Sequence, residues 1–229
     1  MAADPTPGAR RPAGGGSRAA QARRAAAVAH LTRVDPVIAR LIDAQPDHDP
    51  RAWLAQLPPM DLFGALVFQV AGQQLSVAAS RRILDRLRAQ FGGANPTPEA
   101  LVAASDEALR STGMSRRKIA TLRDLAARFS SGELDEVELA RLPDDEVEAR
   151  LTTIGGIGPW TVHGALIIAL DRQDVVLPGD LALRKAISAA YGLDHLPDPD
   201  EVLAIAEPWR PYRSLATSYL FASNVDRAT

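Results

Sequence analysis

The residues best suited to chemistry lie in one stretch, LTTIGGIGPWTVHGALIIALDRQDVVLPGD at 151–180. Gly155, Gly156 and Gly158 lack a Cβ, so they permit a positive φ and the close approach of another backbone. Pro159 follows at a position typical of a helix start. Such a turn exposes amides at a helix N-terminus, a geometry that binds a phosphate. A tight interhelical turn without any ligand is the alternative explanation.

Asp180 closes this stretch after Pro178 and Gly179, directly before the predicted helix LALRKAISAAY. The position is typical of a helix N-cap, whose side chain accepts hydrogen bonds from backbone amides. Those amides and the helix dipole also keep a carboxylate ionised at neutral pH. The pattern predicts an oriented negative charge, whether it serves chemistry or only the cap.

The composition excludes several other kinds of site. The chain has no cysteine, which rules out disulfides, thiolate zinc sites, cysteine-ligated iron–sulfur clusters and a cysteine nucleophile. Its four histidines are too scattered to predict a transition-metal site: His30, His48, His163 and His195. The net charge is −2 although residues 1–28 carry five arginines. Any contact with nucleic acid must therefore be local, made by backbone amides and a few cations.

The elements that must position these residues are helices. Apolar residues recur at helical spacing from residue 29 onward and almost nowhere alternate with a period of two, which predicts an all-α fold. Short breaks with Gly or Pro separate about ten helices. Residues 1–28 have almost no large apolar side chain and are predicted to be a disordered tail, with residues 29–229 as the folded domain. No apolar run is long enough for a membrane span and no secretory signal core is present, so we expect a cytoplasmic protein.

Five blocks of sequence, in order, resemble the helix-hairpin-helix (HhH-GPD) superfamily of DNA glycosylases, and within it the DNA-3-methyladenine glycosylase II family. The blocks are FGALVFQVAGQQLSVAASRRIL at 63–84, GMSRRKIATLRDLA at 113–126, the glycine hairpin, VVLPGDLALRKA at 175–186 and WRPYRS at 209–214. The resemblance covers about residues 55–221. Five ordered blocks are far more specific than any single short motif.

The resemblance implies a two-lobed fold with the active-site cleft between the lobes. One lobe is expected at about residues 60–170, and the other at residues 29–59 together with 171–229. We expect the compact form of the fold, without the N-terminal β-rich domain of the bacterial relative.

The resemblance also implies that Asp180 is the catalytic carboxylate for hydrolysis of an N-glycosidic bond. A fixed anion stabilises the positive charge that develops at C1′ as the base leaves. The carboxylate also suits orienting or deprotonating the attacking water, and both roles stay open. Members that also cut the strand carry a nucleophilic lysine where this chain has Trp160. We therefore expect hydrolysis without strand cleavage, leaving an abasic site.

Trp160 has a second expected role, because an indole face attracts cations and alkylated purines are cationic. Simple packing between helices is the alternative. Weaker candidates for the base pocket are Phe63, Phe68, Tyr219 and Phe221. Gly164 stands where the relative has an aromatic residue, which predicts a roomier pocket. Gly179 replaces the relative's second acidic residue.

The remaining expected roles concern DNA. The hairpin amides of Gly155, Gly156, Ile157 and Gly158 are expected to hold a phosphate of the damaged strand. The carbonyls of Thr152, Ile154 and Ile157 are expected to hold a structural monovalent cation, Na⁺ or K⁺, with no other cofactor required. Gln74 matches the intercalating wedge, or Gln73 or Leu75 if the register shifts by one. Arg116 and Lys118 are candidates for DNA backbone contacts, although solvated charge is the ordinary explanation. Arg213 is a further candidate, either for a backbone contact or for placing and packing near the site.

The expected partner is double-stranded DNA with a damaged base, bound by a monomer without any membrane contact, in a bacterial-type cytoplasm and associated with the nucleoid. Two alternatives stay open. A noncatalytic helix-hairpin-helix module would bind DNA without depending on Asp180 beyond stability. An oxidised-base glycosylase with lyase activity is disfavoured by Trp160.

Overall fold

The computed structural model describes residues 18–225, and all regular structure among them is helical, which confirms the all-α prediction. The α-helices are α1 (Arg18–Val34), α2 (Pro36–Ala44), α3 (Leu62–Gly72), α4 (Val77–Gln90), α5 (Pro98–Ala103), α6 (Asp106–Ser111), α7 (Arg116–Ser130), α8 (Glu136–Arg141), α9 (Asp144–Leu151), α10 (Pro159–Leu170), α11 (Leu181–Tyr191), α12 (Pro199–Ala206) and α13 (Arg213–Val225). Two short 3-10 helices lie at Ala52–Gln56 and Glu207–Trp209. No helix in this part of the chain is both long and apolar enough to cross a bilayer.

Buried apolar side chains form two separate cores, and these define two lobes. The hairpin lobe contains α3 to α10, with Leu66, Leu122 and Leu166 fully buried. The terminal lobe contains α1, α2 and α11 to α13, around Leu31 and Trp209. The segment that leads to Asp180 passes directly from one core to the other, because Val175 belongs to the first core and Val176 to the second.

The structure corrects two details of the predicted organisation. Residues 18–28 belong to α1 and are not a disordered tail. Their alanines favour a helix, and Ala27 is buried in the terminal lobe's core. Residues 1–17 lie outside the described part of the chain. Leu54 and Leu57, predicted to belong to the second lobe, pack against the core of the hairpin lobe instead.

A buried carboxylate organises the terminal lobe. Asp35 is only 7% exposed and caps α2 by accepting the amide hydrogens of Val37 and Ile38. Its second oxygen accepts the indole N–H of Trp209 at 2.8 Å and the hydroxyl of Tyr191. Burial, together with the bond to Asp35, raises the pKa of the Tyr191 phenol well above its usual range. Four donors thus satisfy one buried charge and join α2 to α11 and to the segment before α13.

Candidate active site

Asp180 is oriented through both of its carboxylate oxygens. It is the N-cap of α11, and its Oδ1 accepts the amide hydrogen of Leu183 at 2.9 Å. Its Oδ2 accepts the indole Nε1–H of Trp160, on α10, at 3.1 Å. The carboxylate is half-buried, while Trp160 is 41% exposed. A fixed anion therefore stands beside an exposed indole, at a surface that solvent reaches.

A cleft of about 1020 Å³ opens beside Trp160, between the two lobes. Its walls come from α9 and α10 on one side, and from residues 174–179, α12 and the start of α13 on the other. Gly179 lines the cleft, whereas the side chain of Asp180 does not. The carboxylate therefore lies at the edge of this cleft, hydrogen-bonded to Trp160, which lines it.

The start of α13 holds the loop that carries Asp180. Arg213 donates from Nε to Asp174 Oδ1 at 2.7 Å and from Nη2 to the Asp174 carbonyl at 2.6 Å. Ser214 Oγ accepts the amide hydrogen of Val175 at 3.0 Å. The guanidinium of Arg213 is bound to Asp174, which favours the expected placing role over a contact with the DNA backbone. Arg213 is a positioning residue for the loop.

The turn between α9 and α10 is fixed by two side chains from elsewhere in the hairpin lobe. Gly156 has φ 96°, and a Cβ at this residue would overlap Thr121 Oγ1. The same hydroxyl donates to the carbonyl of Gly155 at 2.7 Å. Gln73 Nε2 donates to the carbonyl of Gly156 at 2.9 Å. Only glycine meets both requirements at position 156, the backbone conformation and the close approach of α7.

The outer side of this turn presents unpaired backbone groups. Within residues 18–225, the amides of Gly155, Gly156 and Gly158 donate no hydrogen bond, so they are free for an anion. The carbonyls of Thr152 and Ile157 accept none, and that of Ile154 accepts only the amide hydrogen of Ile157 at 3.0 Å. These neutral oxygen donors fit a hard cation. No cluster of acidic or histidine side chains among the described residues offers a metal site.

The loop between α3 and α4, residues 73–76, carries the wedge candidates and is called the wedge loop. Gln74 is exposed with φ 60°, and Leu75 is 43% exposed. Gln73 is turned inward, because its Nε2 also donates to Thr161 Oγ1 at 2.9 Å. The alternative that Gln73 is the wedge is therefore wrong, since its amide ties the loop to the hairpin. Gln74 and Leu75 stay candidates.

Lys118 binds two backbone carbonyls at the start of the wedge loop. Its Nζ donates to the carbonyls of Ala71 at 2.8 Å and Gln73 at 2.9 Å, at the end of α3. Partial burial lowers the pKa of this lysine. Two of its three donors are thus held by carbonyls of the protein, but its charge is not neutralised, so its DNA contact stays a prediction. Arg116 is exposed and has no side-chain partner among residues 18–225, so its DNA contact stays a prediction.

Three of the predicted base-pocket aromatics are core residues. Phe63 and Phe68 are 2% and 9% exposed in the hairpin lobe, and Tyr219 is 2% exposed in the terminal lobe. Phe63 packs edge-on against Phe129, with ring centroids 5.3 Å apart. Burial removes all three from contact with a ligand. Phe221 is 37% exposed and stays a candidate, as does Trp160.

The expected space at Gly164 is filled. A Cβ at this position would overlap the carboxamide of Gln69, which reaches across from α3. The prediction of a roomier pocket is therefore wrong at this point. Gln69, Thr121 and the inward role of Gln73 were missed by sequence reasoning. For Gln69 the available signal was a lone polar residue in the apolar helix LFGALVFQVAG.

The site combines the oriented carboxylate of Asp180 with the free amides of the turn between α9 and α10, and Trp160 at the start of α10 links the two. These features are typical of a two-lobed helix-hairpin-helix protein. Comparison with protein families matches residues 67–211 to the HhH-GPD superfamily base excision DNA repair protein family. DNA-3-methyladenine glycosylase 1 of Schizosaccharomyces pombe is 34% identical over 197 residues, 85% of each chain. The chain therefore belongs to the HhH-GPD superfamily.

Solved structures of similar proteins share the fold. The Schizosaccharomyces pombe 3-methyladenine DNA glycosylase in complex with abasic DNA matches with a TM-score of 0.79 and 33% identity, over 87% of this chain and 96% of that chain. A DNA-3-methyladenine glycosidase from Bacillus halodurans matches with a TM-score of 0.65 and 32% identity, over 80% of this chain and 92% of that chain.

Proposed function

We propose that this protein is a monofunctional DNA glycosylase that removes alkylated bases of the 3-methyladenine and 7-methylguanine type in base excision repair. The observation that carries the proposal is the double anchoring of Asp180, by the amide of Leu183 and the indole of Trp160. Relatives named as 3-methyladenine glycosylases, one of them solved with abasic DNA, support the substrate class.

The chemistry follows from the position of the charge. As the base departs, C1′ of the sugar becomes electron-deficient, and the Asp180 carboxylate stabilises that charge or directs water to it. The exposed indole of Trp160 attracts a cationic base by about 0.5–2 kcal/mol. A cationic purine is already a good leaving group, so no strong general acid is needed.

The absence of lyase activity belongs to the same proposal. Formation of a Schiff base with C1′ needs an unprotonated lysine near Asp180. The chain has only two lysines, Lys118 and Lys185. Lys118 is held by the carbonyls that end α3, and Lys185 is exposed on α11. Neither stands at position 160, so the product is an abasic site in an intact strand.

Duplex DNA is the proposed partner, held by the free amides of Gly155, Gly156 and Gly158 on one phosphate. The carbonyls of Thr152, Ile154 and Ile157 would hold a monovalent cation, which adds positive charge beside that phosphate. The protein is proposed to act as a monomer, in the cytoplasm and at the nucleoid.

The test is release of 7-methylguanine or 3-methyladenine from duplex DNA by the wild-type protein and by Asp180→Asn. Asparagine still caps a helix, so the fold is kept while the charge is lost. Asp198→Asn is the matched control, because Asp198 caps α12 in the same way outside the site. Release lost only in Asp180→Asn, without strand nicking before alkali, is the expected result.

Three outcomes would contradict the proposal. Unchanged release by Asp180→Asn would remove the carboxylate from the chemistry. Tight binding of the lesion without release by the wild-type protein would favour the noncatalytic helix-hairpin-helix module. Nicking before alkali would contradict the monofunctional assignment.

A further inference from the structure

A second cavity, of about 400 Å³, lies beside the wedge loop, and all the charged side chains that line it are positive. Arg82, Arg86 and Lys118 line it, and no carboxylate does. The side chain of Arg82 has no hydrogen-bond or ion-pair partner within residues 18–225, and that of Arg86 is bound there only through Nε, which donates to the Thr112 carbonyl at 2.6 Å. In a chain of net charge −2, three unneutralised cations around one cavity indicate an anionic ligand.

The wedge loop is bonded both to the hairpin and to a residue that lines the cavity. The side chain of Gln73 bonds to the hairpin at Gly156, while its carbonyl bonds to Lys118 at the cavity. Along α7, Lys118 lines the cavity and Thr121 bonds to the hairpin, about one helical turn apart. The exposed Gln74 also lines the cavity.

We propose that this cavity binds a phosphodiester of the DNA strand opposite the damaged base. A side chain that fills the place of an extruded base must lie between the two strands. The hairpin amides are already assigned to the damaged strand, so this second anionic site beside the wedge candidate is assigned to the other strand. Arg82 and Arg86, one turn apart on α4, supply the charge for one phosphate. This inference rests on the proposed function, because it assumes a duplex as the ligand.

The test combines a charge change in the protein with a charge change in the DNA. The probe is a duplex with a tetrahydrofuran abasic-site analogue and one uncharged methylphosphonate, moved position by position along either strand. For the wild-type protein, affinity is expected to fall about five- to tenfold at 0.1 M salt when the methylphosphonate occupies the contacted position opposite the lesion. Arg82→Gln is expected to bind unmodified DNA with the same five- to tenfold lower affinity. A methylphosphonate at the contacted position should not lower the affinity of this variant further.

Arg141→Gln is the matched control, because Arg141 is an exposed arginine on α8 that lines neither cavity. It should keep the wild-type pattern. The inference is overturned if Arg82→Gln binds like the wild type, or if its loss is coupled to a position in the damaged strand. Failure of the proposed function would be seen separately, as wild-type protein that releases no alkylated base while its binding data remain interpretable.

Discussion

Trp160 and Asp180 are joined by a hydrogen bond of 3.1 Å, from an indole in the hairpin lobe to a carboxylate at the start of a terminal-lobe helix. The bond orients the anion without cancelling its charge, because indole is a neutral donor. It also places the aromatic face and the carboxylate at a fixed distance from each other. The residue proposed to attract the base thereby positions the residue proposed to act on the sugar.

Trp160→Phe is expected to slow base release about tenfold, because it keeps an aromatic face but loses the donor to Asp180, about 1.4 kcal/mol of barrier. Trp160→Ala should slow release further, since the aromatic face is lost as well. Single-turnover kinetics with saturating protein measure both. A Trp160→Phe variant as fast as wild type would show that the bond does not orient the catalytic charge.

Arg213→Gln is expected to lower the free energy of unfolding by about 1–3 kcal/mol and to slow base release, because the loop before Asp180 loses its anchor. Arg210→Gln is the matched control, since Arg210 also bonds to Asp174 but its side chain is 51% exposed. Its effect should stay below about 1 kcal/mol. Urea denaturation and release kinetics would separate the two, and equal effects would contradict the positioning role.

The sequence predicted those features whose signals are local. The helix cap at Asp180 and the glycine turn each depend on a few adjacent residues, and the structure has both. The partners of the cations were not predictable in this way. Asp174 precedes Arg213 by 39 residues, and Ala71 precedes Lys118 by 47. Only the folded chain shows which cations are already bound within the protein.

The burial of individual side chains could not be predicted from the sequence either. Helical spacing identifies the apolar face of α3 but does not tell whether an aromatic on it lines a pocket or fills a core. Phe63 fills a core because α7 brings Phe129 against it. The room at Gly164 was misjudged for a similar reason, since Gln69 comes from a different helix.

Gly164→Ala is expected to destabilise the protein by about 1–3 kcal/mol, because the new methyl group displaces the Gln69 carboxamide. The double variant Gln69→Ala/Gly164→Ala should recover much of this loss. The four free energies of unfolding form a double-mutant cycle whose coupling measures the contact. Additive effects would show that the two positions do not compete for the same space.

The stability of the terminal lobe is expected to fall above pH 10. The folded state raises the pKa of Tyr191 from its usual 10.0, so above that pH the unfolded chain loses this proton while the folded chain keeps it. The stabilisation is complete below pH 10 and declines as the pH rises. Tyr191→Phe should be less stable at neutral pH and should decline less between pH 10 and 11. Thermal unfolding across pH 8–11 measures this, with Tyr212→Phe as the control that keeps the wild-type decline.

The bond from Gln73 to the hairpin turn has a consequence for how the protein meets a duplex. The wedge loop and the phosphate-binding amides are set at their mutual spacing during folding, before any ligand arrives. Bending and unstacking on binding must therefore come from the DNA, and sites that deform easily, such as those weakened by damage, will be engaged at the lowest cost in free energy.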